Sequence, residues 1–170
     1  MTMHKPAIKE IGAVKLIGFR VWCEDGGQYI HEIPKAAAEL DKRRNEICHL
    51  LSPVCQIGAF KIQTNSIEED GYWVGFPVRE IENVPRDMTS LTIPSQTYAS
   101  LHVEGSNDNI RPAYEQLQAW MQTHDYPRLL HKWHLEKYTT WGNKQNVAVE
   151  LLDTTERRDP AKNDEYSKKI

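Results

Sequence analysis

Residues 133–153 read WHLEKYTTWGNKQNVAVELLD, two strand-like runs on either side of a polar turn. In the second run Val147, Val149 and Leu151 alternate with Ala148, Glu150 and Leu152, the two-residue period of a strand with one apolar face. In the first, Trp133 and Leu135 alternate with His134, Glu136 and Tyr138. An antiparallel hairpin follows, and with it a question. Glutamates are uncommon in strands, so Glu136 and Glu150 face either water or a site.

The same grammar extends upstream. Residues 109–123 carry Ile110, Ala113, Tyr114, Leu117, Trp120 and Met121 on one helical face. The turn GSNDN precedes them, and before it a strand runs from Leu91 to Glu104, bent at Pro94. In the first half, residues 14–23 place Ile17, Phe19, Val21 and Cys23 on one face and Arg20 and Trp22 on the other. The paired glycines of EDGGQ break that strand. A helix is expected from Ile33 to Leu51, with Pro34 in its first turn. Strands follow near 54–64 and 72–81, the second alternating Tyr72, Val74, Phe76 and Val78 with Trp73, Gly75, Pro77 and Arg79. Strand–helix–strand–strand thus occurs twice, over halves of about 11–82 and 89–153. The expected fold class is α+β: two βαββ units in one domain over 1–153, with antiparallel sheets, helices on one face and a ligand cleft on the other. Residues 154–170 lack apolar periodicity and are expected to form a flexible tail.

Composition narrows the functional classes. The chain has 170 residues, 26% charged and 39% hydrophobic, with a formal net charge of -3. No basic stripe is long enough to follow a phosphate backbone, so direct nucleic-acid binding is not expected. No apolar run approaches the ~20 residues that cross a bilayer. The polar N-terminus lacks an export signal core, and three irregularly spaced cysteines do not make a disulfide framework, which points to the cytoplasm. His131 and His134 stand three apart, on opposite faces of a strand, so no metal site is read there, and nothing calls for a cofactor.

Parity then sorts side chains by face. Trp22 lies opposite Phe19 and Val21, Trp73 opposite Tyr72 and Val74, and His102 and Glu104 opposite Leu101 and Val103. The face expected to be free of helices collects Trp22, Trp73, Tyr138, His102, Glu104, Glu136 and Glu150. Aromatic walls with convergent carboxylates suit a flat lipophilic cation, because ring faces attract positive charge and a carboxylate supplies the counter-charge. The plainer reading is a solvated sheet face. Tyr114 and Trp120 read as core, Trp141 as a turn residue that closes a lid or is merely exposed, and Arg20 as a possible partner for a groove glutamate.

The ordered motifs IPSQTYASLHVEG, IRPAYEQLQAW, LEKY and VAVELL, with YWVGFPV in the first half, resemble the GyrI-like small-molecule-binding family over roughly residues 10–153. These are effector-binding domains of AraC-type and multidrug-sensing bacterial transcription regulators, found also as stand-alone proteins. The resemblance implies a pseudo-two-fold pair of units around a ligand cleft. It implies that a final-strand glutamate meets cationic aromatic ligands, a role that falls by position to Glu150, with Glu136, Tyr138 and Trp73 beside it. The family often places a proline after that glutamate; here ELLDT has none. About ten residues precede the first strand, too few for a helix-turn-helix module, so a stand-alone binder is expected, engaged in sensing or sequestration. A protein partner or homodimer stays open.

Two other functions are compatible with the resemblance. Some stand-alone members appear as hydrolases of strained, cyclopropane-bearing alkylating compounds. Glu136 would then direct a water, Tyr138 donate to an oxyanion, and Trp73 hold the substrate. A gyrase-modulating interaction is the third reading, which a net charge of -3 does little to support.

Overall fold

The computed structural model describes residues 4–158. Eight strands and two α-helices follow one another as β1 (Ala7–Ile11), β2 (Val14–Val21), α1 (Tyr29–Lys42), β3 (Gln56–Phe60), β4 (Tyr72–Val78), β5 (Thr89–Ile93), β6 (Gln96–Gly105), α2 (Ile110–Thr123), β7 (His134–Asn143) and β8 (Asn146–Thr155). The strands form a single antiparallel sheet in the order β1-β6-β8-β7-β3-β4-β2-β5. The expected α+β class is observed, with one added strand before each βαββ unit. Pro94 does not bend one strand but separates two, β5 and β6, which pair with different neighbours.

Strand order and loop length together require a rolled sheet. Only Gly12 and Ala13 join β1 to β2, a span of at most about 11 Å. In a flat sheet those strands would stand about 29 Å apart, six spacings away. Pro94 and Ser95 impose the same condition on β5 and β6. The sheet therefore curls until its ends meet. Its concave face is a core in its own right: Leu16, Trp73, Ile93, Tyr98, Trp133, Leu135 and Leu152 are buried there with no helix over them.

The helices pack on the convex face, α1 on β2 and β4 and α2 on β6. Both are entered by the same local device. The Asp25 side chain accepts from the Gly27 N–H and the Ser106 hydroxyl oxygen accepts from the Asp108 N–H, each capping a 3₁₀ turn that runs directly into the helix. This capping lets α1 begin four residues before the expected Ile33, so Pro34 lies inside the helix rather than in its first turn. The helix also ends earlier, at Lys42, where Arg43 turns to bond Glu46 and Asp87; Ile47 and Leu51 lie beyond it. α2 buries Ala113, Leu117 and Met121 against Leu101, Val149 and Leu151. α1 buries only Leu40, leaving Ile30 73% exposed and Ile33 half-buried. That unfilled apolar stripe borders the site.

At the C-terminal end the strand outruns its expected limit. Thr154 and Thr155 are buried in β8, and Asp153 is fully buried against His134 and Arg128. Residues 154 and 155 of the expected tail thus belong to β8, and residues 159–170 lie outside the described residues. Among the described residues no helix is long and apolar enough to cross a membrane.

Candidate functional site

A cleft of about 590 Å³ opens between α1 and α2, over the middle of the sheet. It lies on the helix-bearing face, not on the helix-free face where parity placed it. The reason is the rolled sheet: its helix-free side is filled by its own side chains, whereas the two helices stand apart and leave a trough. Ile33, Pro34 and Ala37 of α1 form one wall and Ile110 and Tyr114 of α2 the other. Gly58, Tyr72, Val74, Glu136 and Tyr138 make the floor, and Trp141 stands at one end.

Glu136 is the centre of this floor. The Tyr72 hydroxyl donates to its Oε1 and the Tyr114 hydroxyl to its Oε2, each at 2.7 Å. No Lys, Arg or His pairs with it among the described residues. Burial, followed by the Glu136 charge, pushes both phenols well above their ordinary range, so both remain protonated donors. Tyr138 is raised by the same two causes. A carboxylate offers about four lone-pair positions, and two tyrosines occupy two of them. Glu136 itself lines the cleft.

The geometry depends on a glycine. Gly58 is the cross-strand partner of Glu136, and a Cβ there would lie 1.6 Å from the Tyr72 hydroxyl oxygen. The missing side chain is the space through which Tyr72 crosses β3 to reach the carboxylate. At the cleft's end, Trp141 belongs to β7 rather than to a turn. Its indole N–H donates to Asp41 of α1 at 3.3 Å and its ring lies 5.7 Å from the Arg44 guanidinium, so the β7–β8 hairpin is fastened to the opposite half.

Of the residues read from the sequence, the cleft brings together Glu136 and Tyr138. The other five lie elsewhere. Trp73 is buried on the concave face, against Trp133 and under the Arg20 guanidinium. Arg20 donates to the carbonyls of Ile67 and Asp70 and pairs with no glutamate among the described residues. Trp22 is 46% exposed and bonds Asp70. Glu150 accepts from Lys9 and from Ser100 on the helix-free side. Burial raises its carboxyl, but the bonds from Lys9 and Ser100, with the Lys9 and Lys137 charges, outweigh this and hold it below the usual range. His102 and Glu104 bond each other on that same side. The catalytic trio of Glu136, Tyr138 and Trp73 is thus split across the sheet. Sequence reasoning missed Tyr72, Tyr114 and Gly58. The available signal was chemical: a phenol on a buried face needs an acceptor, which an aliphatic side chain does not.

Residues 7–152 match the profile of Cass2, the integron-associated effector binding protein family. The chain belongs to this family. Membership makes it a small-molecule binder in general terms, in line with the GyrI-like resemblance. Solved structures share the fold. The EcmrR C-terminal domain aligns over 92% of this chain and 100% of its own, with a TM-score of 0.64 and 20% identity. SAV2435, solved bound to tetraphenylphosphonium, aligns over 89% of this chain and 94% of its own (TM-score 0.67, 10% identity). The integron cassette protein VCH_CASS2 of Vibrio cholerae aligns over 91% and 98% (TM-score 0.58, 13% identity). EcmrR in its complex with DNA is longer, and the chain spans 59% of it. A sequence comparison with curated proteins finds no match.

Proposed function

We propose that the protein binds lipophilic cations with aromatic or bulky apolar surface in the cleft between α1 and α2, and that Glu136 is the counter-charge. One observation carries this reading. A carboxylate stands at the floor of an apolar, tyrosine-lined cleft with both oxygens positioned by hydroxyls, and among the described residues no basic side chain pairs with it, although Arg111 and Lys144 also line the cleft. A carboxylate in such surroundings is costly unless paired, and a bound cation completes the pairing. Tyr29, Tyr72, Tyr114, Tyr138 and Trp141 add ring faces worth ~0.5–2 kcal/mol each to a cation placed over them. The tetraphenylphosphonium held by the fold-sharing SAV2435 has this chemistry and supports the choice of ligand class. Hydrolysis is less well served. Tyr72 and Tyr114 each donate their single hydroxyl hydrogen to Glu136, so of the floor phenols Tyr138 is left to serve a developing oxyanion, and Trp73 lies on the other face of the sheet.

The test is tryptophan-fluorescence titration with tetraphenylphosphonium and a neutral analogue of similar shape, for the native protein and Glu136→Gln. The substitution keeps shape and an acceptor but removes charge. Saturable binding of the cation, weakened about 30-fold or more in the variant, is expected, since unpairing a charge in a desolvated site costs about 2 kcal/mol or more. Equal binding of cation and neutral analogue would retire Glu136 as counter-charge.

A further inference from the structure

We propose that His4, His102 and Glu104 form a site for one divalent transition-metal ion of the zinc class, on the helix-free side of the β1–β6 edge. The placement follows from sheet geometry. His102 and Glu104 are two apart on β6, so both point to one face, and His102 Nε2 lies 3.0 Å from Glu104 Oε1. β1 runs antiparallel to β6 with Ala7 opposite Ser100, and the chain just before β1 carries His4 back over His102. The two imidazoles meet edge to face, with centroids 4.6 Å apart. Donor atoms of all three residues lie within 4.8 Å of one another.

A second observation points to a ligand. His4 Nε2 is buried and has no hydrogen-bond partner among the described residues. A buried polar nitrogen without a partner is destabilising, and a bound metal ion would satisfy it. Two imidazoles and one carboxylate are a borderline N/O donor set that suits zinc-class ions, with room for a further ligand or water. Lys9 of β1 is already paired with Glu150, the cross-strand neighbour of His102, so its charge does not oppose an incoming ion uncompensated. The other cluster of potential donors among the described residues, His49 with Glu80 and Glu82, has one imidazole and two exposed carboxylates, and no buried nitrogen without a partner. It serves as the control. The site is separate from the cleft and independent of what the cleft binds.

The experiment titrates the full chain, free of any affinity tag, with Zn²⁺ against a chromophoric chelator, and with Co²⁺ by visible absorption. One equivalent of Zn²⁺ binding in the micromolar range or tighter is expected, together with Co²⁺ d–d bands and a rise in melting temperature. His102→Ala should raise the Kd at least tenfold and abolish the bands, and His4→Ala should act in the same direction. His49→Ala and Glu136→Gln should change neither. Circular dichroism shows that all the variants are folded, and retained tetraphenylphosphonium binding shows it again for the three histidine variants. No binding tighter than about 100 µM, or binding that survives both His102→Ala and His4→Ala, overturns the site.

Discussion

At the scale of single residues, Gly58 controls the cleft without touching a ligand. Its hydrogen is the only group that fits beneath the Tyr72 hydroxyl, because a methyl would lie 1.6 Å from that oxygen. Gly58→Ala is expected to displace Tyr72 from Glu136 and to destabilise the fold by ~1–3 kcal/mol, as overpacking does. Cation affinity should fall several-fold, a loss that Tyr72→Phe in the same background would not deepen much, since the hydroxyl is already displaced. Paired titrations with thermal melts measure both effects. Tyr114 makes the related point about legibility. Its place on the apolar stripe of α2 was plain from spacing, but a stripe cannot say whether its edge meets a neighbouring side chain or a cavity. The hydroxyl's acceptor, Glu136, is 22 residues away.

At the scale of elements, β1 is an edge strand whose outer side is unpaired, held to β6 by its ladder and by the Lys9–Glu150 bond. Because Glu150 is depressed in the folded state, it contributes stability above the ordinary carboxylate pKa, and that contribution is lost as pH falls through the folded value. Glu150→Gln should therefore lower stability at neutral pH by about 1 kcal/mol or less and flatten its decline in acid, while leaving cation binding unchanged. Chemical denaturation at a series of pH values gives the first result and fluorescence titration the second. A large loss of cation affinity in this variant would instead return the counter-charge to the final strand, where family position had placed it. Parity sorted β8 and β6 correctly with respect to the helices. In β7 it failed, because the helix-free concave face is itself a core and claims the strand's buried apolar residue, Leu135. Trp133 and Leu135 are core, as expected, but core on the concave face, so Glu136 and Tyr138 stand under the helices.

At the scale of the molecule, the two halves exchange strands. β1 belongs to the first half by sequence and pairs only with β6 of the second; β5 belongs to the second and pairs only with β2 of the first. β3 and β7 join the halves again at the centre. Neither half can satisfy its own edges or close its own concave core, so residues 1–86 and 87–170 produced separately should lack cooperative unfolding and cation binding. Mixing them should restore both, and the intact chain should unfold in one transition. Circular dichroism melts of halves, mixture and whole chain decide this; an independently folded half would show that the exchange is dispensable.

What the sequence by itself determined is the local grammar: strand, helix, strand, strand, twice, with alternating apolar faces and a glutamate–tyrosine pair on β7. These follow from backbone geometry and side-chain periodicity over fewer than twenty residues, which neighbouring positions report on directly. Only the tertiary structure decided which face of each strand meets a helix, where the cavity lies, and which glutamate at its floor has no basic partner among the described residues. Those depend on the rolling of an eight-stranded sheet, set by two short links between strands at its opposite ends. Once the sheet rolls, its helix-free face fills with its own side chains, and the open space has nowhere to lie but between the helices.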